Sequence, residues 1–442
     1  MTKDLTEGSV WSTLVRFSAP FLLSYFLQTL YGMADLYIIG RFYGTESTTA
    51  VSIGSQVMHM VTVMIVGLAM GTVVTTGQAT GAHDSRQAAK AVGNTVTLFL
   101  SLSLAVTALL LLLVRPIVRL VFTPEAAVPG TVSYLTICFL GIPFITAYNI
   151  IASIFRGLGD SRRPMYFIAV ACLANIALDY LFIGGLRLGA AGAALATVLA
   201  QAISVLVSLA VIRAGKTGLS LRLSDFRPDG SVIRALLGVG LPIAVQDGFI
   251  QVAFILITVF ANQRGLDDAA AVGIVEKLIC ILFLVPSSLL QSVSALASLN
   301  LGAGKPERAR LVLRYSCAIA VAWGAAAALF MCVGSETVIG WFSQSQQVVR
   351  LGCQYMKGYV WDCMFAGIHF SYSGYFCACG ASLLSFLHNA LSIVCVRIPC
   401  SYFAARMFPA TLFPMGLAAP AGSALSVLIC LLADLWLRRR KK

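Results

Sequence analysis

Five acidic residues fall inside long apolar stretches of the sequence, where each charge calls for an explanation. They are Asp35, Asp179, Asp247, Glu276 and Asp362. A charge near the middle of a bilayer costs at least about 2.5–3.5 kcal/mol on insertion scales, and ionisable residues within membrane spans commonly mark binding or coupling sites. Only 11% of the residues are charged, so these few acids are the first candidates for chemistry.

Asp35 and Asp179 form the best-defined group. With the apolar stretches taken as helices, both lie about 6 Å below the same membrane surface, at about 1.5 Å per residue. Asn175 lies one turn before Asp179 on the same helix face, and Thr197 lies about 12 Å deep in the next span. These oxygen ligands suit Na⁺. The two carboxylates equally suit a proton, because burial and mutual repulsion favour one neutral carboxyl group. A purely structural hydrogen-bond cluster is the third interpretation.

The elements that must position these residues follow from composition. The chain has 442 residues, of which 59% are hydrophobic, with a mean hydropathy of +0.88, whereas soluble domains are about 45–50% apolar and about 25% charged. Runs long enough to cross the bilayer as helices occur twelve times. They lie at 14–39, 50–77, 92–114, 131–154, 164–183, 189–212, 232–261, 272–300, 311–333, 353–377, 384–405 and 414–437. We predict an all-α integral membrane protein. A barrel is excluded because the runs are continuous and do not alternate.

The distribution of basic residues predicts the orientation of the chain. Of the 31 Lys and Arg residues, 21 fall on the side that would carry both termini, which indicates cytoplasmic termini. The net charge of +13 is therefore a topology signal, spread over many loops, and no nucleic-acid partner is expected. The first run is too long for a signal-peptide core, so no cleaved targeting segment is expected. We predict a multi-pass protein of the inner or plasma membrane.

The two halves of the sequence resemble each other at an offset of 221 or 222 residues. Gly8-Ser9-Val10 matches Gly230-Ser231-Val232, and Phe155, Gly159 and Ser161 match Phe376, Gly380 and Ser382. We predict an N-terminal lobe at 1–215, a cytoplasmic linker at 216–231 and a C-terminal lobe at 232–442. Six spans per half give parallel repeats, an architecture of transporters. Pro20 and Pro242 interrupt corresponding helices, either as bending points or as prolines tolerated in a packed bundle.

The second half has no copy of the first acidic group. Val396 and Cys400 stand where Asn175 and Asp179 would be expected. Asp247, Glu276 and Asp362 are possible second-lobe acids, for which structural and functional roles are equally open. Coupling chemistry is therefore expected mainly in the first half.

No other chemistry stands out. The twelve Cys and four His residues show no metal-ligand spacing, so the only metal considered is Na⁺ at the group of Asp35, Asn175, Asp179 and Thr197. Nucleotide-binding and hydrolase motifs are absent. We expect no cofactor and no enzymatic activity.

Three segments together resemble the multidrug and toxic compound extrusion (MATE) family of antiporters, in its bacterial branches. They are Phe155-Arg-Gly-Leu-Gly-Asp160 with Pro164, Leu301-Gly-Ala-Gly-Lys-Pro-Glu-Arg-Ala309, and Gly189-Ala-Ala-Gly-Ala-Ala-Leu-Ala-Thr197 with Gln201. The resemblance covers the whole chain. It implies twelve transmembrane helices in two pseudo-symmetric six-helix lobes, arranged as a V and rocking to alternate access. It also implies export of cationic, amphipathic compounds against inward H⁺ or Na⁺. The family's first-lobe coupling site maps onto Asp35, Asn175, Asp179 and Thr197, whereas the acids of the second half do not map clearly.

An organic cation would need a cavity lined by aromatic, Met and amide side chains. The candidates on the first, second, seventh and eighth spans are Tyr25, Gln28, Tyr31, Met33, Gln56, Met60, Met64, Gln246, Gln251 and Gln291.

Other functions remain open at this point. A flippase for lipid-linked sugars or another amphipathic metabolite is the main alternative, although it would favour a groove lined by several Arg residues. A membrane transferase would need a polar catalytic cluster in a loop, and a sensor or scaffold would leave the buried acids unexplained. We expect a monomer in the lipid bilayer, with small organic cations or amphipathic drugs as substrates.

Overall fold

The computed structural model of the chain describes residues 5–214 and 220–440. Within those ranges there is no strand, and sixteen α-helices follow one another. The all-α architecture predicted from the continuous apolar runs is confirmed. The contacts divide the chain into two compact units, and each is described by itself below.

Unit 1 comprises Ala19–Gly240. Its helices are α1 (Val10–Phe42) from Ala19 onward, α2 (Thr45–Gly81), α3 (Ser85–Leu120), α4 (Val128–Leu140), α5 (Ile142–Gly157), α6 (Arg162–Asp179), α7 (Gly189–Arg213) and the first part of α8 (Gly230–Asn262). One apolar core of this unit includes Ile39, Val51, Leu135, Phe139 and Ala193, all fully buried.

Unit 2 comprises Leu5–Ser18 and the chain from Leu241 onward. Its helices are the remainder of α8, α9 (Leu266–Leu282), α10 (Leu284–Gly302), α11 (Pro306–Gly340), α12 (Gln346–Tyr359), α13 (Asp362–Ala378), α14 (Ser382–Ser392), α15 (Ile398–Met407), α16 (Phe413–Arg440) and the start of α1. Its core includes Val272, Val275, Ile339, Val360 and Leu412.

The helices α1 and α8 each belong to both units. The boundary between the two units lies between Ser18 and Ala19 in α1 and between Gly240 and Leu241 in α8. Each boundary comes just before one of the two prolines at corresponding positions of the repeat, Pro20 and Pro242. The linker between the lobes was predicted at 216–231. Of this segment, residues 220–231 belong to unit 1, and residues 216–219 lie outside the described residues. The division of the chain at that linker stays a prediction.

Not every predicted span is one continuous helix. Ten helical segments within the described ranges are long and apolar enough to cross a membrane, and α4 with α5 makes an eleventh if this pair, bent by 50°, is one span. The span predicted at 353–377 corresponds to α12 and α13, which have 14 and 17 residues. The breaks after Leu140 and after Tyr359 lie at matching places in the two halves of the sequence.

Two π-helical turns interrupt the fifth and eleventh predicted spans. One covers Tyr180–Gly185 directly after α6, and the other covers Ile393–Arg397 between α14 and α15. Single π-turns inside helices occur often at functional sites. They rotate the residues that follow onto a different face, so a regular helical wheel misplaces those side chains.

The chain that precedes α8 is fastened to the start of α3. Arg86 Nη1 lies 2.7 Å from Asp225 Oδ1. Asn94 Nδ2 donates to the Asp225 carbonyl at 3.2 Å, and the backbone N–H of Asp229 donates to Asn94 Oδ1 at 2.7 Å. The Asp229 carboxylate accepts from the Ser231 hydroxyl and N–H, and these bonds lower its pKa below the ordinary value.

The chain that precedes α1 is fastened in the same manner within unit 2. Lys305 Nζ donates to the carbonyl of Thr6 at 3.1 Å, and Arg308 donates to the carbonyls of Glu7 and Gly8, each at 2.7 Å. Arg86 and Arg308 are separated by 222 residues. The sequence repeat therefore extends to the contacts that anchor the first helix of each half.

Candidate functional site

Asp35 and Asp179 lie side by side in the interior of unit 1. Asp35, on α1, is 6% exposed, and Asp179, the last residue of α6, is fully buried. The π-helical turn that follows Asp179 ends the regular helix at this residue. Two acids separated by 144 positions in the sequence thus face each other within one six-span unit.

Thr197 and Asn175 complete the group. The Thr197 hydroxyl lies 3.5 Å from Asp35 Oδ2 and 3.1 Å from the Ala193 carbonyl oxygen, so its single proton is shared between these two acceptors. The Asn175 amide is 2% exposed and lies close enough to Asp35 to interact with it, without completing a hydrogen bond. The structure therefore brings together all four residues that the sequence selected for ion coupling, and their role in coupling stays a prediction.

A small pocket opens beside these residues. It is a narrow gap lined by Tyr31, Ala171, Asn175, Thr197, Ala200 and Gln201. The Gln201 amide oxygen is buried and accepts no hydrogen bond among the described residues. Sequence reasoning did not assign Tyr31 and Gln201 to this site. The signal was available, because Tyr31 lies one turn before Asp35 and Gln201 lies one turn after Thr197.

The charge on this site is under-compensated. Asp35 Oδ1 and both oxygens of Asp179 accept no hydrogen bond among the described residues, and neither acid forms an ion pair there. Two adjacent carboxylates in a medium of low dielectric repel each other strongly, so both cannot remain ionised without a cation. The arrangement can hold a proton shared between the two carboxyl groups, or a small hard cation bound by their oxygens.

The acids of the second half are placed differently. Asp362 is fully buried in unit 2, with its Oδ2 3.9 Å from Nη2 of Arg397. Glu276 Oε2 accepts from Thr258 Oγ1 at 3.3 Å. Asp247 lies on α8 and forms no ion pair with any described residue. Sequence reasoning did not connect Arg397 with these acids, because the two stretches are on different helices and a π-turn precedes α15.

The residues proposed for the substrate cavity fall into three groups by exposure. Met33, Gln56 and Met64 are exposed, whereas Tyr25, Gln28, Tyr31, Met60 and Gln251 are half-buried. Gln246 and Gln291 are buried inside unit 2, and Gln246 Oε1 accepts from Ser385 at 2.8 Å. Tyr31 is the member that lies beside the acidic site of unit 1. The assignment of this set to a cavity stays a prediction.

A chain with many membrane-spanning helices, two sequence-related halves and buried carboxylates in its spans is a multi-pass membrane protein built by internal duplication. The comparison with protein families agrees with this description in detail. The family model MatE matches twice, at residues 20–181 and 242–403. The two matches are 222 residues apart at both ends, which confirms the repeat found in the sequence. The chain belongs to the MatE (MATE) family, a family of transporters.

Curated relatives cover nearly the whole chain. The probable multidrug resistance protein YpnP of Bacillus subtilis is 30% identical over 400 residues, which are 90% of this chain and 88% of that protein. The probable multidrug resistance protein YoeA of the same organism is 25% identical and covers 97% of this chain and 94% of its own length. The probable multidrug resistance protein NorM of Thermotoga maritima is 23% identical, with 89% and 86% covered.

Solved structures share the fold over the full length. One is described as the outward-facing conformation of a multidrug resistance MATE family transporter of the MOP superfamily, with a TM-score of 0.91 and 22% identity. A MOP superfamily transporter from Pyrococcus furiosus gives a TM-score of 0.90 at 22% identity, and each match covers 100% of this chain and 98% of the other. The two-lobe fold predicted from the sequence is confirmed. Similarity at this level of identity establishes the fold alone, so function must be argued from the site.

Proposed function

We propose that this protein is a secondary active multidrug exporter that moves organic cations or amphipathic toxic compounds out of the cell in exchange for inward H⁺ or Na⁺. The relatives named as multidrug resistance proteins support the substrate class. The observation that carries the coupling is the pair Asp35 and Asp179, two adjacent acids buried without a compensating charge. An ion that enters this site removes an electrostatic penalty, so its binding can favour one transport conformation.

The proposed mechanism assigns a role to each of the four residues of the buried acidic group in unit 1. Asp35 and Asp179 hold the ion or proton, Thr197 orients Asp35 through its hydroxyl group, and Asn175 contributes an amide oxygen or N–H from one turn before Asp179. Ion binding from outside and drug binding from inside then alternate, because each favours a different conformation. We further propose that the protein works as a monomer in the plasma membrane, with both termini in the cytoplasm.

The test is dye efflux from proteoliposomes under an imposed pH gradient and, separately, under an imposed Na⁺ gradient. We expect one gradient to drive efflux in the wild type. Asp35→Asn and Asp179→Asn should each lower the driven rate by at least about tenfold, because the neutral amide no longer requires an ion. Asp434→Asn, which alters an acid near the end of α16 paired with Arg438, serves as the control and should leave the rate unchanged.

Full efflux by the Asp35→Asn, Asp179→Asn double variant would refute the coupling assignment. If neither gradient stimulated efflux in the wild type, antiport itself would be wrong. The alternative, a flippase for lipid-linked sugars, would then be examined by following a labelled glycolipid across the same vesicles.

A further inference from the structure

Arg156 is a buried basic residue of unit 1 that the proposed function does not use. It is the next-to-last residue of α5 and lies in the segment 155–160, which belongs to the motifs that resemble the MATE family. It is 8% exposed, and its enclosed Nε has no hydrogen-bond partner among the described residues. It also forms no ion pair with any of them. Because arginine is almost never this buried unless it is paired, a group that compensates its charge is expected.

The acid that follows Arg156 in the sequence is already engaged. Asp160 Oδ1 accepts hydrogen bonds from the backbone N–H groups of Arg162 and Arg163, at 2.9 and 3.1 Å. Asp160 Oδ2 lies 3.2 Å from Nε of Arg163. The carbonyl end of α5 offers only about half an elementary charge. The described residues therefore compensate the charge of Arg156 only in part.

The surroundings of Arg156 within unit 1 are aromatic. Its guanidinium carbon lies 5.1 Å from the centroid of the Phe21 ring on α1, and Phe21 is itself buried. Tyr148, two turns before Arg156 on α5, lies in the electrostatic range of both Arg156 and Tyr25. Tyr25 follows Phe21 by one turn on α1. One guanidinium group is thus placed near three aromatic side chains.

This group is separate from the acidic site of unit 1. Phe21 precedes Asp35 by fourteen residues on α1, a distance of about 21 Å at 1.5 Å per residue. Arg156 is therefore not the counterion of Asp35 or Asp179. In the proposed orientation, the end of α1 that carries Phe21 is the cytoplasmic end, the side from which a substrate would enter.

The chemistry of the group favours an aromatic compound that carries a carboxylate. The planar guanidinium offers a fork of N–H donors that matches a carboxylate in a bidentate arrangement, and aromatic side chains add apolar contact. An amine near Arg156 would instead be repelled. A phospholipid phosphate has the same charge, but its two acyl chains require a groove open to lipid, whereas Arg156 and Phe21 are both buried.

We propose that Arg156 is a specificity-determining residue, which binds the carboxylate of an aromatic, amphipathic substrate at the cytoplasmic end of unit 1. Phe21, Tyr25 and Tyr148 supply the apolar surface beside it. The transporter then accepts compounds that carry an acidic group, in addition to those that are only cationic. This inference rests on the proposed function, because it names a chemical group of the exported substrate.

The test is binding of two matched dyes to the purified full-length protein in detergent, measured by fluorescence polarisation. Rhodamine B carries a carboxylate, and its ethyl ester has the same ring system without the acid. Arg156→Gln should raise the Kd for rhodamine B at least about tenfold, because charge-assisted hydrogen bonds are lost, and should leave the Kd for the ester near wild type. Arg156→Lys should be intermediate, since lysine keeps the charge but not the bidentate fork. Retained ester binding also shows that the variants fold.

Arg163→Gln is the matched control. It removes a basic side chain seven residues away that has its own acid, Asp160. The Kd for each dye should stay near wild type in this variant. If Arg163→Gln weakened the binding of rhodamine B as much as Arg156→Gln, general positive charge would explain the effect and the proposal would be wrong.

Other outcomes would also overturn the proposal. Equal changes in Kd for both dyes in Arg156→Gln would exclude recognition of the carboxylate. If that variant did not fold, a wild type that bound the ester more tightly than rhodamine B would contradict the proposal. Displacement of rhodamine B by phosphatidylglycerol, but not by a soluble aromatic carboxylate, would assign Arg156 to a lipid headgroup instead.

The two proposals can fail separately. Efflux of the ester under an ion gradient, without any dependence of rhodamine B binding on Arg156, would contradict the present inference alone. Binding of rhodamine B that depends on Arg156, without efflux of either dye under a pH or Na⁺ gradient, would support this inference and contradict the proposed antiport.

Discussion

At the scale of single residues, the buried acids of the two units differ in how their charge is compensated. In unit 1, Asp35 and Asp179 face each other and have only the weak hydrogen bond from Thr197. In unit 2, Asp362 Oδ2 lies 3.9 Å from Nη2 of Arg397, although neither oxygen of Asp362 accepts a hydrogen bond among the described residues. The two units therefore differ in how the charge of their buried acids is compensated.

Thr197 allows the hydroxyl contribution in unit 1 to be measured. Thr197→Val keeps the shape but removes the donor to Asp35. Because this contact is 3.5 Å long and the same hydroxyl also faces the Ala193 carbonyl at 3.1 Å, it contributes no more than an ordinary hydrogen bond, about 0.5–1.5 kcal/mol. Since about 1.4 kcal/mol corresponds to a factor of ten, we expect the concentration of driving ion for half-maximal efflux to change by about two- to tenfold. Thr197→Ser should behave like wild type. Equal values for all three proteins would show that the hydroxyl group takes no part.

The sequence contained much of this residue-level information, but not all of it. Asp35, Asn175, Asp179 and Thr197 could be grouped in advance, because helical spacing and matched depth in the membrane are properties of a linear pattern. The ion pair of Asp362 with Arg397 could not, because it joins separate helices. The π-turn that precedes α15 also shifts the helical register, which a constant rotation per residue does not reproduce.

At the scale of elements, the start of α8 packs backbone to backbone against α2 within unit 1. A Cβ atom at Gly71 would lie 2.0 Å from the carbonyl oxygen of Leu236, and one at Gly240 would lie 2.1 Å from the carbonyl oxygen of Leu68. The two glycines thus permit a reciprocal contact between these helices. Small residues at such positions are typical of close helix packing in membranes.

This contact predicts that alanine substitutions at two glycines, Gly71 on α2 and Gly238 on α8, have different effects on the stability of the protein. Gly71→Ala should separate α2 from α8 and destabilise the protein by about 1–3 kcal/mol, the usual cost of overpacking. Gly238→Ala is the matched control, because a Cβ atom there meets nothing within 4 Å. The midpoint of thermal unfolding in detergent should fall for Gly71→Ala and stay near wild type for Gly238→Ala. Equal midpoints would show that the helices can move apart freely.

Hydropathy predicts where helices occur better than it predicts where they break. The twelve apolar runs correspond in order to the observed helices, since burial of backbone groups in lipid requires internal hydrogen bonds. The breaks after Leu140 and Tyr359 were not predicted. Only the first is accompanied by an obvious signal, Gly141 with Pro143, because proline lacks a backbone donor. At the second, Gly358 precedes Tyr359 but no proline follows, so this break depends more on tertiary packing.

At the scale of the whole molecule, the duplication has preserved architecture and allowed chemistry to diverge. The family model matches both halves at a constant separation, and the anchors at Arg86 and Arg308 lie at equivalent positions. The acidic groups are not repeated in this way, because Val396 and Cys400 occupy the positions that correspond to Asn175 and Asp179. Packing contacts therefore constrain both halves equally, whereas the group of Asp35, Asn175, Asp179 and Thr197 has no counterpart in unit 2.

The duplication also makes the orientation of the chain testable, because six spans in each half place the two halves the same way in the membrane. With 21 of 31 basic residues on one side, the positive-inside rule places that side in the cytoplasm. An epitope inserted after Gly159 should be reached by antibody only in permeabilised spheroplasts, while one inserted after Leu186 should be reached without permeabilisation. Green fluorescent protein fused to the C-terminus should fluoresce, since it folds in the cytoplasm. The reverse pattern of epitope access would show the opposite orientation, and the proposed driving ion would then have to reach Asp35 and Asp179 from the other side.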